Sequence, residues 1–153
     1  MKKYLIAIAA LAFMAWGCSK SEEEEAKPAP QIVKVEASER PHWQEQAPNF
    51  DQYEQFMNVE VRLQETLQSY ASSNDLMSAT INGQVRGVSK PKQVDGRWVF
   101  SLFVASDHDG VNVSLSYYCD KLHSIYTLSN WTKFDANTIP LGTGDIYEPT
   151  FIN

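Results

Sequence analysis

Residues 97–128 read RWVFSLFVASDHDGVNVSLSYYCDKLHSIYTL and contain three strand patterns separated by two turn signals. In Trp98–Val104 both faces of the strand are apolar, as in the middle strand of a covered sheet. In Val111–Cys119 apolar and polar residues alternate, which is typical of a strand with one face on the core. Leu122–Leu128 forms the third pattern. Together they predict the centre of a β-sandwich, and they indicate no chemistry.

The flanking sequence continues the all-β pattern in both directions. Met57–Gln64 alternates between apolar and polar residues, and Leu76–Val88 reads as a hairpin. Its centre, Asn82-Gly83, supplies the two positive-φ residues of a tight hairpin turn. Ile146–Ile152 predicts a last edge strand. We therefore expect residues 41–153 to form one antiparallel sandwich, immunoglobulin-like or jelly-roll-like, of about seven or eight strands.

The N-terminus has the features of a secretory signal over residues 1–17. Two lysines precede the apolar run Tyr4–Trp16, which is shorter than the roughly 20 apolar residues that span a bilayer. The following Ala15-Trp16-Gly17-Cys18 resembles the lipobox of bacterial lipoproteins. This resemblance implies that Cys18 becomes the first mature residue and carries lipid that anchors it to a membrane. The alternative is an ordinary cleaved signal that leaves Cys18 unmodified. Within this family, a serine after the cysteine, here Ser19, implies release to the outer membrane.

An acidic tract follows the cysteine. It consists of four consecutive glutamates, Glu22, Glu23, Glu24 and Glu25. Adjacent carboxylates repel one another and stay solvated, so the tract can serve simply as a spacer. It also resembles the surface-export signal of Bacteroidetes-type lipoproteins, which implies display at the cell surface; the periplasmic face is the alternative. Residues 18–40 are thus predicted to be a tether, although Gln31–Glu36 can form a short strand, and Trp43 is expected to pack on the sandwich.

The domain also has a loose family resemblance. Asp75–Ala79, Val85–Val88 and Leu115–Tyr118 resemble small β modules that recur in lipoproteins and multidomain surface proteins of the same bacteria. The resemblance covers most of residues 57–126 and implies no particular activity.

The charge balance disfavours nucleic acid as a partner. Removal of the two signal lysines leaves 11 of the 13 Lys and Arg against 19 Asp and Glu, a mature net charge of −8. A chain with this charge repels a polyanion.

The sequence contains little that indicates catalysis or metal binding. Nucleophile elbows and phosphate-binding glycine loops are absent, and the three histidines are far apart. Asp107-His108-Asp109-Gly110 resembles the start of a calcium loop but lacks its later ligands, so a turn is favoured. We expect no catalytic residue, no metal and no cofactor besides the lipid on Cys18. A small hydrolase built on two distant loop carboxylates stays open.

Aromatic residues are numerous for so small a domain. By strand alternation, Trp98 and Tyr117 belong to the core, and Cys119 is a buried, unreactive thiol. Tyr118 lies on the polar face of its strand and Trp131 in a predicted loop, so both are expected to be exposed and to contact a ligand. The resulting hypothesis is a non-catalytic lipoprotein that binds a glycan or a protein. The alternative is a structural or accessory subunit of an outer-membrane or periplasmic assembly, docked through a sheet edge.

Overall fold

The computed structural model describes residues 31–137 and 146–152, and over these residues the protein is an all-β sandwich of two sheets. The predicted fold class is confirmed. One short α-helix and one 3-10 turn accompany the strands among the described residues. The elements are β1 Gln31–Glu36, a 3-10 turn Phe50–Gln52, β2 Gln55–Arg62, α1 Glu65–Gln68, β3 Leu76–Ile81, β4 Gln84–Ser89, β5 Pro91–Val94, β6 Arg97–Ser106, β7 Asn112–Cys119, β8 Ser124–Lys133 and β9 Ile146–Tyr147.

The two sheets enclose one hydrophobic core. The first sheet has the strand order β1-β8-β7-β3-β4 and the second the order β5-β6-β2-β9. Neighbouring strands are antiparallel except for β2 and β9, which run parallel. Alternate residues of the central strands face inward and are buried. The inward-facing set from β2, β6 and β7 is Met57, Val59, Val61, Phe100, Leu102, Val104, Val113, Leu115, Tyr117 and Cys119.

The central three-strand prediction is confirmed, with a change at the third strand. β6 lies inside its sheet between β5 and β2, and β7 pairs with β8. β8 begins at Ser124 and not at Leu122, because His123 has a positive φ of 47° and closes the turn after β7. β8 also continues to Lys133, so Trp131 lies in a strand and not in a loop.

Two edge strands differ from the sequence prediction. β5 was not predicted because its sequence, Pro-Lys-Gln-Val, has weak strand propensity; it pairs with β6 through a turn in which Asp95 and Gly96 both have positive φ. Proline at the first position of an edge strand leaves the ladder intact. The predicted last strand is shorter than expected, since only Ile146–Tyr147 pairs with β2.

The sandwich includes residues that the sequence analysis assigned to the tether. β1 pairs with the edge of β8, from Gln31 opposite Ser129 to Glu36 opposite Ser124. The alternation of Val33 and Val35 with polar residues favours a strand, and the pairing covers backbone groups of β8 that would otherwise form an open edge. Residues 1–30, which include the signal, Cys18 and the four glutamates, lie outside the described residues.

A buried carboxylate connects β3 and β7, two neighbouring strands of the first sheet, at one end of that sheet. Asp75, just before β3, is fully buried. Its Oδ2 accepts hydrogen bonds from Tyr117 Oη at 2.6 Å and Ser72 N at 3.1 Å, and its Oδ1 accepts from Asp120 N at 3.0 Å and Ser72 Oγ at 2.9 Å. Asp75 thereby joins the loop before β3, the strand β7 and the turn after β7.

Replacement of Asp75 should destabilise the fold strongly. In Asp75→Ala the Tyr117 hydroxyl and the backbone N–H groups of Ser72 and Asp120 lose their acceptor, and each such buried donor costs about 1–3 kcal/mol. We expect the free energy of unfolding, measured with urea, to fall by at least about 3 kcal/mol. The control is Asp107→Ala, an exposed turn residue, which should change it by less than about 0.5 kcal/mol. Equal stability of the two variants would contradict this role of Asp75.

The same hydrogen bond predicts a dependence on alkaline pH. Burial, followed by the hydrogen bond and charge of Asp75, raises the pKa of Tyr117 far above the value of 10.0 for a solvated phenol. The pKa of Tyr117 is raised in the folded state but not in the unfolded state. The stability that the neutral buried phenol contributes is therefore complete below about pH 10, and it is lost progressively above pH 10, where only the unfolded phenol ionises. We expect Tyr117 to contribute a loss of up to about 1.4 kcal/mol of unfolding free energy per pH unit above pH 10. Urea unfolding at several pH values should give a shallower decline for Tyr117→Phe than for wild type.

Candidate functional site

Tyr118, one of the two predicted ligand contacts, is not exposed. Only 2% of its surface is accessible, and its hydroxyl donates to Asp120 Oδ1 at 3.2 Å. Burial is the main cause that raises the pKa of this phenol, the charge of Asp120 adds to it, and the charge of Arg40 opposes it. The prediction that Tyr118 is exposed is therefore wrong, although its strand face is polar in sequence.

Tyr118 lies between Leu76 of β3 and Ile125 of β8 in the sheet, and a segment that follows β1 passes near it. The chain leaves the β1 edge at Ala37, and Arg40 lies near enough to Tyr118 on β7 to influence its phenol. Farther along, Pro48 lines a depression together with Arg86 of β4, at the opposite edge of the same sheet. The segment thus has one residue near β7 and another beside β4. Trp43, between them, is half-buried, and its expected packing on the sandwich stays a prediction.

Trp131, the other predicted ligand contact, is half-buried in β8 and packs against the core. Its ring meets the ring of Tyr147 edge-on, with centroids 5.5 Å apart and an interplanar angle of 84°. This contact joins β8 of one sheet to β9 of the other. Trp131 lines neither of the two depressions described below, and a role in ligand contact stays a prediction.

The residues predicted to lie in the core are buried or half-buried. Tyr117 is fully buried, and Trp98 is half-buried against the core. Cys119 is also fully buried, and burial is the main cause that raises the pKa of its thiol. The raised pKa disfavours the thiolate, which is the nucleophilic form, so the geometry agrees with an unreactive cysteine.

The first depression lies where β1 and β8 meet at one end of the sandwich. It has a volume of about 510 Å³ and is lined by Glu36, Ala37, Ser38, Leu122 and His123. We call it the Glu36–His123 depression. Ala37 N donates to His123 O at 2.7 Å, which holds the end of β1 against the turn after β7. The positive φ of His123 allows the chain to reverse within this turn.

The side chains of this depression suit hydrogen bonding to a polar ligand. The Glu36 carboxylate accepts hydrogen bonds, the Ser38 hydroxyl donates or accepts, and each nitrogen of His123 does one or the other. Glu36, Ser38 and His123 are all exposed, and Leu122 adds a half-buried apolar surface. Tyr70 is 45% exposed at the same end of the sandwich, where its carbonyl lies 3.7 Å from Cys119 Sγ.

The second depression lies beside the turn between β3 and β4. It has a volume of about 390 Å³, and we call it the Arg86–Tyr53 depression. The Arg86 guanidinium lies over the Tyr53 ring, 4.6 Å from its centroid, and Nη2 donates to Gln84 Oε1 at 2.8 Å. Because the guanidinium is held by the ring and the amide, its orientation is fixed. The remaining lining residues are Gln46, Pro48, Gly83 and Val85.

Metal-ligating side chains are dispersed over residues 31–137 and 146–152, where no group of three or more His, Cys, Asp or Glu is positioned to hold an ion. In the candidate calcium loop, Asp109 Oδ1 accepts from Ala136 N at 3.0 Å, which ties this loop to the segment after β8. His42 contacts only Glu45 among acidic side chains in the described part of the chain, at 3.2 Å. Within those same ranges, no helix is long and apolar enough to cross a membrane.

Comparison with known proteins gives no relative for this chain. No family model matches it, and no curated protein or solved structure is significantly similar.

No sequence motif marks Glu36 and His123 as neighbours. They are far apart along the chain, and the pairing of β1 with β8 brings them to one rim. The β-branched residues of Gln31–Glu36 were the available signal, since they indicated a strand within the predicted tether.

Proposed function

We propose that the protein is a lipid-anchored, non-catalytic lipoprotein that binds a glycan or a protein through the Glu36–His123 depression. The observation that carries the proposal is the convergence of a carboxylate, an imidazole and a hydroxyl in one open depression at the end of the sandwich. A small number of convergent polar groups on a preformed scaffold is typical of ligand sites.

The chemistry of these side chains favours a ligand rich in hydroxyl or amide groups. Glu36 and His123 can together accept and donate hydrogen bonds to neighbouring groups of one ligand. Exposed Tyr70 at the same end offers a ring face of the kind that stacks on sugars and forms protein hot spots.

The proposed anchor rests on the N-terminal sequence. A basic start, a short apolar run and the lipobox-like ending at Cys18 support lipidation, and Glu22–Glu25 support export to the cell surface. Several acyl chains at about 0.8 kcal/mol per buried methylene hold a protein on a membrane durably.

A second candidate is an accessory subunit of an outer-membrane or periplasmic assembly that docks through β1. β1 is an edge strand with one neighbour, β8, among the described strands. Its Val33 and Val35 side chains are 47% and 54% exposed. An edge strand with exposed apolar side chains can add a strand from another chain.

We expect binding to depend on the first depression and not on the second. The full mature chain would be tested in mild detergent on a printed array of plant polysaccharides and mucin glycans. Glu36→Gln and His123→Asn should each weaken binding about tenfold, the effect of one lost hydrogen bond. Asn tolerates the positive φ at position 123. The control Arg86→Gln should bind like wild type.

Retained binding in both depression variants, or its loss in Arg86→Gln alone, would contradict the proposed site. Absence of glycan binding, together with co-purification of one fixed partner that Glu36→Gln and His123→Asn both retain, would favour the second candidate.

Surface display is tested by protease treatment of intact cells. We expect the wild-type domain to be digested and the variant with Glu22–Glu25 replaced by Ala to be protected, because export would depend on the acidic tract. A Cys18→Ser variant should leave the membrane fraction. Protection of wild type in intact cells, with digestion after lysis, would contradict display at the surface.

A further inference from the structure

We infer that one defined end of the sandwich faces the membrane and that the Glu36–His123 depression lies at the opposite end; this inference rests on the lipid anchor of the proposed function. The anchored end contains the start of β1, the turn Asn82–Gly83 and the turn 107–110. The free end contains the end of β1, the loop 72–75 and the turn 120–123.

Strand pairing assigns these elements to the two ends. β1 runs antiparallel to β8, with Gln31 opposite Ser129 and Glu36 opposite Ser124. At the Gln31 end, β8 continues to Lys133, which pairs with Asn112 directly after the turn 107–110. At the Glu36 end, Ser124 pairs with Cys119 directly before the turn 120–123.

The remaining strands of the first sheet agree with this assignment. Leu76, the first residue of β3, is opposite Tyr118, so the preceding loop 72–75 lies at the free end. Thr80 is opposite Ser114, so the turn Asn82–Gly83 that follows β3 lies at the anchored end.

The position of β1 limits the distance between the lipid and the anchored end. Gln31 follows Cys18 by 13 positions, and a chain of that length spans at most about 45 Å whatever its conformation. A tether that reached Arg40, as the sequence alone predicts, would span up to about 75 Å. It would join the domain at the free end. Pairing of β1 with β8 therefore determines which end the anchor holds.

Charge does not account for this orientation. The loops at the anchored end carry the exposed acidic residues Asp51, Asp107 and Asp109, which anionic headgroups repel. The covalent tether alone would keep this end near the bilayer, and removal of the lipid should leave no residual attraction.

The functional consequence concerns access. An eight-residue strand such as β7 is about 26 Å long, so the free end stands farther from the bilayer by up to roughly that distance. The Glu36–His123 depression and Tyr70 then face the medium, where a ligand from outside arrives.

The test measures energy transfer from a dye on the protein to acceptor-labelled headgroups in phosphatidylcholine vesicles. The lipidated full chain would carry the donor at Asp107→Cys, at the anchored end, or at Ser73→Cys, at the free end. Both positions are exposed, whereas Cys119 is buried and does not compete for the dye. We expect a transfer efficiency about twofold higher or more at position 107 than at position 73, given the strand length between the ends. Near-ultraviolet circular dichroism verifies that both variants fold.

The outcomes separate this inference from the proposed anchor. Equal transfer at the two positions, or higher transfer at position 73, in a chain shown by mass spectrometry to carry lipid on Cys18 would overturn the orientation alone. A chain that carries no lipid there would overturn the anchor and the orientation together. The Cys18→Ser chain should show no transfer, and transfer at wild-type level would also overturn the inference.

Discussion

The hydrogen bond between Tyr117 and Asp75 is the interaction on which the first sheet depends. A buried carboxylate is unfavourable unless its oxygens are hydrogen-bonded, and here four donors from three segments satisfy them. The arrangement fixes the loop before β3 against the turn after β7. That turn leads directly to His123, so the position of the Glu36–His123 depression follows from the same buried group. Stability and the candidate site are thus connected through Asp75.

Much of the fold could be predicted because the core strands carry a strong local pattern. Val111–Cys119 alternates, and alternation alone placed Tyr117 and Cys119 correctly inside. Tyr118 shows the limit of that argument. The alternate residues Ser114 and Ser116 of its own strand make its face polar in sequence. In the sheet, however, its partners on the neighbouring strands are Leu76 and Ile125, and Arg40, from a segment nearly eighty residues earlier, lies near it. Alternation distinguishes the two faces of a strand but contains no information about what covers the polar one.

The candidate site was beyond sequence reasoning for a related reason. Glu36 and His123 become neighbours only through the register of β1 on β8, and register between distant strands is set by the whole sheet. Because of the same pairing, the sandwich begins at β1, before the predicted start of the domain at Pro41. A weak edge strand next to a charged, proline-rich stretch resembles a linker locally, because its pairing energy comes from a partner strand that the local sequence does not identify.

β1 also has a mechanical consequence under the proposed anchor. Tension between a lipid at Cys18 and a ligand held at the far end runs along the strands, nearly parallel to β1 and β8. The six residue pairs that join these strands then bear the force together in shear, where rupture requires many hydrogen bonds to fail at once. A pull at right angles would open the same pairs one at a time. The antiparallel edge strand would therefore resist detachment by flow at a cell surface better than its small size suggests.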